Sequence, residues 1–146
     1  MKEQLITFDT AKLAKEKGFN DHFYHKKGED SSRWWKCKHC YDPEDETKTL
    51  QLWSDNIFNS TDERLERLVS APTQSLLQKW LLEVKHINIE LTFDDGQWLV
   101  YVGEFSFPDS SVKLFHGIEC DGFKDAIFKK SIALEKGLQE ALKLIK

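Results

Sequence analysis

The sequence predicts an α+β fold: a small antiparallel sheet, including a hairpin at Asp95-Gly96, with two or three helices packed on it. Three observations predict this class. Two alternating apolar runs flank the Asp95-Gly96 dipeptide, a helical apolar period follows Pro72, and a second helical period fills the C-terminal segment. Since 146 residues with 40% apolar content normally close around one core, we expect a single domain over residues 1–146.

The N-terminal segment FDTAKLAKEKGF predicts a short helix over residues 10–17. Asp9 is the expected N-cap, because its carboxylate can accept a hydrogen bond from the first free N–H groups. Gly18 is the expected residue of positive φ that ends the helix. From 20 to 45 the pattern is irregular and polar, although the aromatic run RWWKC could form a strand.

The middle of the chain predicts a strand and then a helix. TKTLQLW, residues 47–53, alternates polar and apolar residues as a half-buried strand does. Pro72 is expected in the first turn of a helix over 72–85, where a missing N–H leaves no partner unsatisfied. The apolar stripe of that helix consists of Leu76, Leu77, Trp80, Leu81 and Val84.

The clearest signal is the hairpin in INIELTFDDGQWLVYVGEF, because Asp-Gly suits the positive φ angles of a type I′ turn. Counting back from the turn predicts three apolar cross-strand pairs, Phe93–Trp98, Leu91–Val100 and Ile89–Val102. This apolar face must be covered, and the helix that carries Trp80 is the expected cover. Leu99 and Tyr101 point to the other face.

The C-terminal segment predicts a third strand, VKLFHGI over 112–118, and a long closing helix over 123–145. The expected core stripe of the helix is Ile127, Leu134, Leu138, Leu142 and Ile145. Gly137 inside a helix costs about 1 kcal/mol relative to alanine. We therefore expect a close crossing against the hairpin, or a mild kink, at that residue.

Composition narrows the function classes. A net charge of −4 and a pI near 5.7 argue against a general polyanion binder. No apolar run suits a signal peptide or a membrane span, so we expect a cytoplasmic protein without a membrane partner. Three cysteines, an odd number, are expected to be thiols.

Three segments carry a family resemblance: TFDTAKLAKEKGF, APTQSLLQKWLLEVKH and ALEKGLQEALKLI. They resemble a family of small uncharacterised proteins that occur in phage and prophage regions of gut bacteria. The resemblance covers about a third of the chain, and its motifs are those of helices and a strand. It implies a genomic setting, and it transfers no functional residue.

One stretch raises the question of a metal. His22 and His25, and Cys37 and Cys40, are two pairs at the spacing that structural zinc uses, and His39 could replace one ligand. Against zinc, the gap between the pairs is shorter than in common fingers, and a domain of this size needs no metal to fold. We expect no metal and no cofactor; if this is wrong, these four residues are the predicted ligands.

The same stretch holds the candidate binding residues Arg33, Trp34, Trp35 and Lys36. Tryptophan rings can stack on bases while the cations hold phosphates, which is how single-strand binding surfaces work. Adjacent residues of a strand point to opposite faces, so only one of the two tryptophans can face the core. The other is a candidate contact for nucleic acid or for a partner protein.

No sequence motif predicts an enzymatic activity. Glu119 and Asp121 flank Cys120 with negative charge, which opposes formation of a thiolate nucleophile. His116 is expected to pack on the strand face that also holds Val112, Leu114 and Ile118. No phosphate-binding glycine loop and no GxSxG elbow occurs.

The functional prediction is a small phage-type accessory protein that acts as a non-catalytic protein-interaction module. Surplus aromatic residues, such as Trp34, Trp35, Trp53 and Tyr101, suit such contacts. The alternative is a single-stranded nucleic-acid-binding protein that uses residues 33–38. A small-molecule ligand is not evident.

Overall fold

The computed structural model describes residues 4–19, 39–45, 50–52, 69–104 and 112–145. The elements are α1 (Phe8–Glu16), β1 (His39–Tyr41), β2 (Leu50–Leu52), β3 (Val69–Ser70), α2 (Gln74–Lys85), β4 (Ile87–Asp94), β5 (Gln97–Glu104), β6 (Val112–Glu119) and α3 (Gly122–Lys143). The chain divides into two compact units, residues 1–76 and 77–146, and the boundary falls within α2. The predicted α+β class is confirmed, whereas a single domain stays a prediction.

The first unit contains α1 and a small antiparallel sheet with the strand order β2-β1-β3. β2 confirms part of the strand predicted over 47–53. Cys40 is buried at the centre of this sheet, where it pairs with Gln51 on one side and Ser70 on the other. The hydroxyl of Tyr41 donates to the carbonyl oxygen of Ile6 at 2.9 Å, which joins the sheet to the segment before α1.

α1 begins two residues earlier than predicted, and Asp9 is not its N-cap. Thr7 caps the helix, since its hydroxyl accepts from the backbone N–H of Thr10 at 3.5 Å. Asp9 instead lies in the first turn, where a carboxylate favours the positive end of the helix dipole. Gly18 has a φ of 92°, which confirms the predicted left-handed end of the helix.

α2, in contrast, begins two residues after the predicted position. Thr73 precedes its first residue, and the Thr73 hydroxyl accepts from the N–H of Leu76 at 3.2 Å. Pro72 therefore lies outside the helix, where its carbonyl oxygen accepts from the N–H of Ile6. Further along α2, Trp80 is fully buried, as the predicted stripe requires.

The second unit is built on the antiparallel sheet β4-β5-β6. The predicted hairpin is confirmed with its register, in which Ile89 pairs with Val102 and Leu91 with Val100. The turn residues Asp95 and Gly96 have φ angles of 48° and 75°, as a type I′ turn requires. Ile89, Val100 and Val102 are buried, so the apolar face is covered at the end far from the turn.

The pairing of β5 with β6 contains a register shift. Leu114 pairs with Tyr101 and Ile118 pairs with Trp98, with a register shift between Trp98 and Val100. Three positions separate the two partners on β5, whereas four separate the residues on β6. β6 therefore contributes one extra residue at the register shift, as in a β-bulge. The expectation that His116 shares a strand face with Val112, Leu114 and Ile118 stays a prediction.

α3 packs across the sheet of the second unit. A Cβ atom at Gly137 would lie 2.7 Å from Cγ2 of Ile89 and 3.0 Å from Cγ1 of Val100. The predicted close crossing against the hairpin is therefore confirmed, because only glycine leaves room for both side chains. Among the described residues, no helix is long and apolar enough to cross a membrane.

Candidate functional site

The predicted binding residues Arg33, Trp34, Trp35 and Lys36 lie outside the described residues. Their role in contacting nucleic acid or a partner protein stays a prediction. No structural observation therefore bears on the predicted basic and aromatic surface.

Most of the alternative zinc ligands also lie outside the described part of the chain, namely His22, His25 and Cys37. Cys40 is described, and its side chain is fully buried. Within the described ranges, no group of three or more His, Cys, Asp or Glu side chains could hold a metal ion. The absence of a metal thus stays a prediction for residues 22–40.

The described chain presents one concentrated apolar surface, on the first three turns of α3. Four of its side chains are large, apolar and exposed, with exposed fractions of 81% for Phe123, 52% for Ile127, 70% for Phe128 and 45% for Ile132. We call these four residues the α3 apolar surface. They occur within ten successive residues, which distinguishes them from the single exposed apolar residues that any protein carries.

The α3 apolar surface consists of two pairs at a spacing of four residues. Phe123 and Ile127 lie on one side of the helix, and Phe128 and Ile132 lie about 140° further around it. Lys124 lies between the two pairs and is exposed. The α3 apolar surface therefore consists of two apolar ridges with a positive charge between them.

Ile127 corrects the predicted core stripe of α3. The residue lies on the same line along the helix as Leu134 and Leu138, as the predicted helical period requires. Leu138 is fully buried, however, while Ile127 is 52% exposed. Periodicity identifies the side of a helix that faces the core, but it does not say where along the helix the covering residues end.

The hairpin holds this part of α3 in place through Trp98. The indole Nε1–H donates to the carbonyl oxygen of Ala126 at 2.8 Å. The ammonium of Lys130 lies 5.7 Å from the centre of the same ring, within cation–π range. Phe93 packs edge-on against Trp98, with ring centroids 5.2 Å apart. The exposed apolar residues are therefore displayed on an anchored helix.

Polar bonds fix the start of α3. The carboxylate of Asp125 accepts from the backbone N–H of Asp121 at 2.7 Å and pairs with the ammonium of Lys129 at 2.9 Å. The backbone bond and then the ammonium hold the pKa of Asp125 below its usual value. Lys129 also donates to the carbonyl oxygen of Glu119 at 2.8 Å, and the Asp125 carboxylate raises the pKa of Lys129.

The reactive side chains next to the α3 apolar surface contact the backbone or one another. Cys120, which precedes α3, is half-buried, and its thiol donates to the carbonyl oxygen of Ile118 at 3.4 Å. Lys129 is held by Asp125 and by the backbone of Glu119. Within the described ranges, these groups do not place a nucleophile next to a general base at the α3 apolar surface.

The sequence contained a signal for the α3 apolar surface that the predicted stripe did not use. FKDAI at 123–127 is followed directly by FKKSI at 128–132, so a large apolar residue begins and ends each half of the segment. A helix buried on one side needs apolar residues on a single stripe. Apolar residues on two sides of its first turns indicate more apolar surface than one sheet can cover.

Comparisons with protein-family models, with curated proteins and with solved structures found no match to this chain.

Proposed function

We propose that the protein is a non-catalytic accessory module that binds a partner protein through the α3 apolar surface. The observation that carries this proposal is the exposure of Phe123, Ile127, Phe128 and Ile132 within ten residues of one helix. Water-exposed apolar area of this kind is unfavourable in a free protein. Burial of this area on binding is therefore favourable in free energy, and exposed apolar patches of this kind often mark interaction sites.

The two phenylalanines expose the largest fractions of their side chains on this surface. Burying a phenylalanine side chain completely contributes about 1.5–3 kcal/mol. Phe123 and Phe128 are 81% and 70% exposed, so most of that free energy is available to a partner. The anchored helix adds to it, because a surface that is already ordered loses little conformational entropy on binding.

The charge between the apolar pairs describes the partner further. Lys124 is exposed, and no ion pair joins it to another described residue. A partner that covers both apolar ridges must also meet this ammonium group. We therefore expect an apolar partner surface with a carboxylate opposite Lys124.

The test compares three baits in lysate of the natural host: the unaltered protein, the double variant Phe123→Ser/Phe128→Ser, and the control Leu82→Ser. Leu82 is a matched control because it is apolar and 40% exposed, but lies on α2. We expect one protein to be retained by the unaltered bait and the control, and lost with the double variant. Equal retention by all three baits would contradict the proposal.

A salt titration distinguishes single-stranded nucleic-acid binding from binding of a partner protein. Binding of a single-stranded oligonucleotide should weaken steeply with salt and disappear when Arg33 and Lys36 are replaced. That result, together with no protein dependent on Phe123 and Phe128, would favour nucleic-acid binding through residues 33–38. No described residue supports this alternative at present.

A further inference from the structure

β4 forms an edge of the sheet in the second unit, and its backbone is only partly covered. In a two-residue hairpin the residues next to the turn, Asp94 and Gln97, form a hydrogen-bonded pair. Pairing alternates along the strand, so the N–H and C=O groups of Ile89, Leu91 and Phe93 point away from β5. These groups form the edge to which another strand could add.

One of these groups already has a partner, which shows where the edge is closed. The side-chain amide of Gln78, on α2, donates to the carbonyl oxygen of Ile89 at 3.1 Å. This contact also confirms the direction in which the edge carbonyls point. Within the described ranges, no hydrogen bond reaches the outward N–H or C=O groups of Leu91 and Phe93. The half of β4 next to the turn is therefore open.

The side chains around the open half differ between the two faces of the sheet. Phe93 lies on the apolar face, is 46% exposed, and packs on Trp98. Glu90 and Asp94 lie on the other face, and both are exposed. An added strand would thus meet an aromatic surface on one face and two carboxylates on the other.

We propose that the open edge of β4, from Glu90 to Asp94, binds an extended peptide segment in which basic and apolar residues alternate. Backbone hydrogen bonds to Leu91 and Phe93 would hold the segment as an additional strand. Its apolar residues cover Phe93, and its basic residues pair across the strand with Glu90 and Asp94. Opposite charges in cross-strand positions are favourable, whereas like charges are not.

The same charges argue against a second copy of this chain as the occupant. Two copies of β4 paired antiparallel about Thr92 would place Glu90 of one copy opposite Asp94 of the other. Both such contacts join like charges, which destabilise a sheet. The carboxylates also oppose a nucleic acid, since its phosphates carry negative charge.

The experiment uses the full chain and a blocked peptide in which lysine alternates with valine. A peptide of the same composition, with its lysines in one block and its valines in another, is the control. We expect the alternating peptide alone to bind, with slowed amide exchange at Leu91 and Phe93 and weaker binding at high salt. Equal binding of both peptides would overturn the proposal.

Two variants of Phe93 distinguish the contribution of its backbone hydrogen bond from that of its side chain. Phe93→Ala keeps the outward N–H, whereas Phe93→Pro removes it without removing a hydrogen bond to β5. The proline variant should abolish binding, and the alanine variant should only weaken it. Unchanged peptide affinity in Phe93→Pro would overturn the proposal. A dimer of the unaltered protein that becomes a monomer in this variant would also overturn it, because the occupant of the edge would then be a second copy.

A charge exchange keeps the proposal testable if the proline variant fails to fold. Glu90→Lys/Asp94→Lys should bind the lysine peptide about tenfold less tightly and should bind a glutamate–valine peptide instead. Failure of the exchanged pair to recover binding would contradict the assigned contacts. Because this edge is distinct from the α3 apolar surface, Phe128→Ser should leave the peptide affinity unchanged, and a loss in that variant would overturn the assignment to β4.

Discussion

The two halves of α3 share one helix but have opposite surroundings. In the C-terminal half, Ala133, Gly137, Leu138, Ala141 and Leu142 are all buried. In the N-terminal half, the largest apolar side chains are the exposed ones, with Phe123 at 81% and Phe128 at 70%. Both small and large apolar residues are therefore covered in the C-terminal half, whereas the large apolar residues of the N-terminal half remain exposed.

This difference shows that apolar residues in one helix can have two separate roles. Close approach to the sheet favours residues with small side chains, because a larger one meets Ile89 and Val100, as at Gly137. Where nothing described covers the helix, size is not limited by packing. Phe123 and Phe128 then contribute little buried area to the free protein, which agrees with the binding role proposed for them.

The largest expected effect comes from truncating one residue in each half of the same stripe. Leu138→Ala should lower the free energy of unfolding by about 2–5 kcal/mol, since it removes a fully buried side chain. Ile127→Ala should change it by less than ~1 kcal/mol, because Ile127 is already 52% exposed. Urea melts of both variants measure this contrast, and equal losses would remove the distinction between the halves.

Gly137→Val tests the close approach in the buried half. The new side chain would collide with Ile89 and Val100, and we expect a loss of about 1–3 kcal/mol in unfolding free energy despite the better helix propensity of valine. The Ile89→Ala background makes room and should reduce the loss. If the two substitutions prove additive in thermal melts, the helix and the hairpin do not meet at this residue.

Trp98→Phe tests the anchor of the exposed half. The change keeps an aromatic ring but removes the N–H that donates to the carbonyl oxygen of Ala126, which should cost about 0.5–1.5 kcal/mol. Amide exchange should quicken in the first turns of α3 more than in the last ones. A uniform change along the whole helix would mean that Trp98 does not hold the exposed half in particular.

The smallest expected effect concerns pH. The pKa of Asp125 lies below its ordinary value of 3.8, first because of the Asp121 N–H and then because of Lys129. A lowered folded-state pKa stabilises the protein above the unfolded value, and this stabilisation is lost as pH falls through the folded pKa. Asp125→Asn should therefore flatten the fall of stability below pH ~4. In Lys129→Gln, an NMR titration should still place the Asp125 pKa below 3.8, because the backbone bond remains.

Sequence patterns predicted the fold most reliably where local geometry and pattern agreed. The Asp95-Gly96 turn fixes the hairpin register, because a two-residue turn permits one pairing of the flanking strands. Gly137 was a correct indicator of close packing, because glycine inside a helix needs a compensating reason. The N-cap of α1 was harder to predict, since Thr7 and Asp9 are both favourable N-cap residues and lie two positions apart.

By itself, the sequence determined the α+β class, the hairpin and its register, and the periods of α2 and α3, because these depend on contacts between residues close in the chain. Only the tertiary structure decided which turns of α3 are covered, that a bulge interrupts β6, and that the β4 edge is open near the turn but closed at Ile89. Those features depend on which distant segments meet. Burial and hydrogen-bond partners are properties of such contacts, and the spacing of residues along one helix or strand does not contain them.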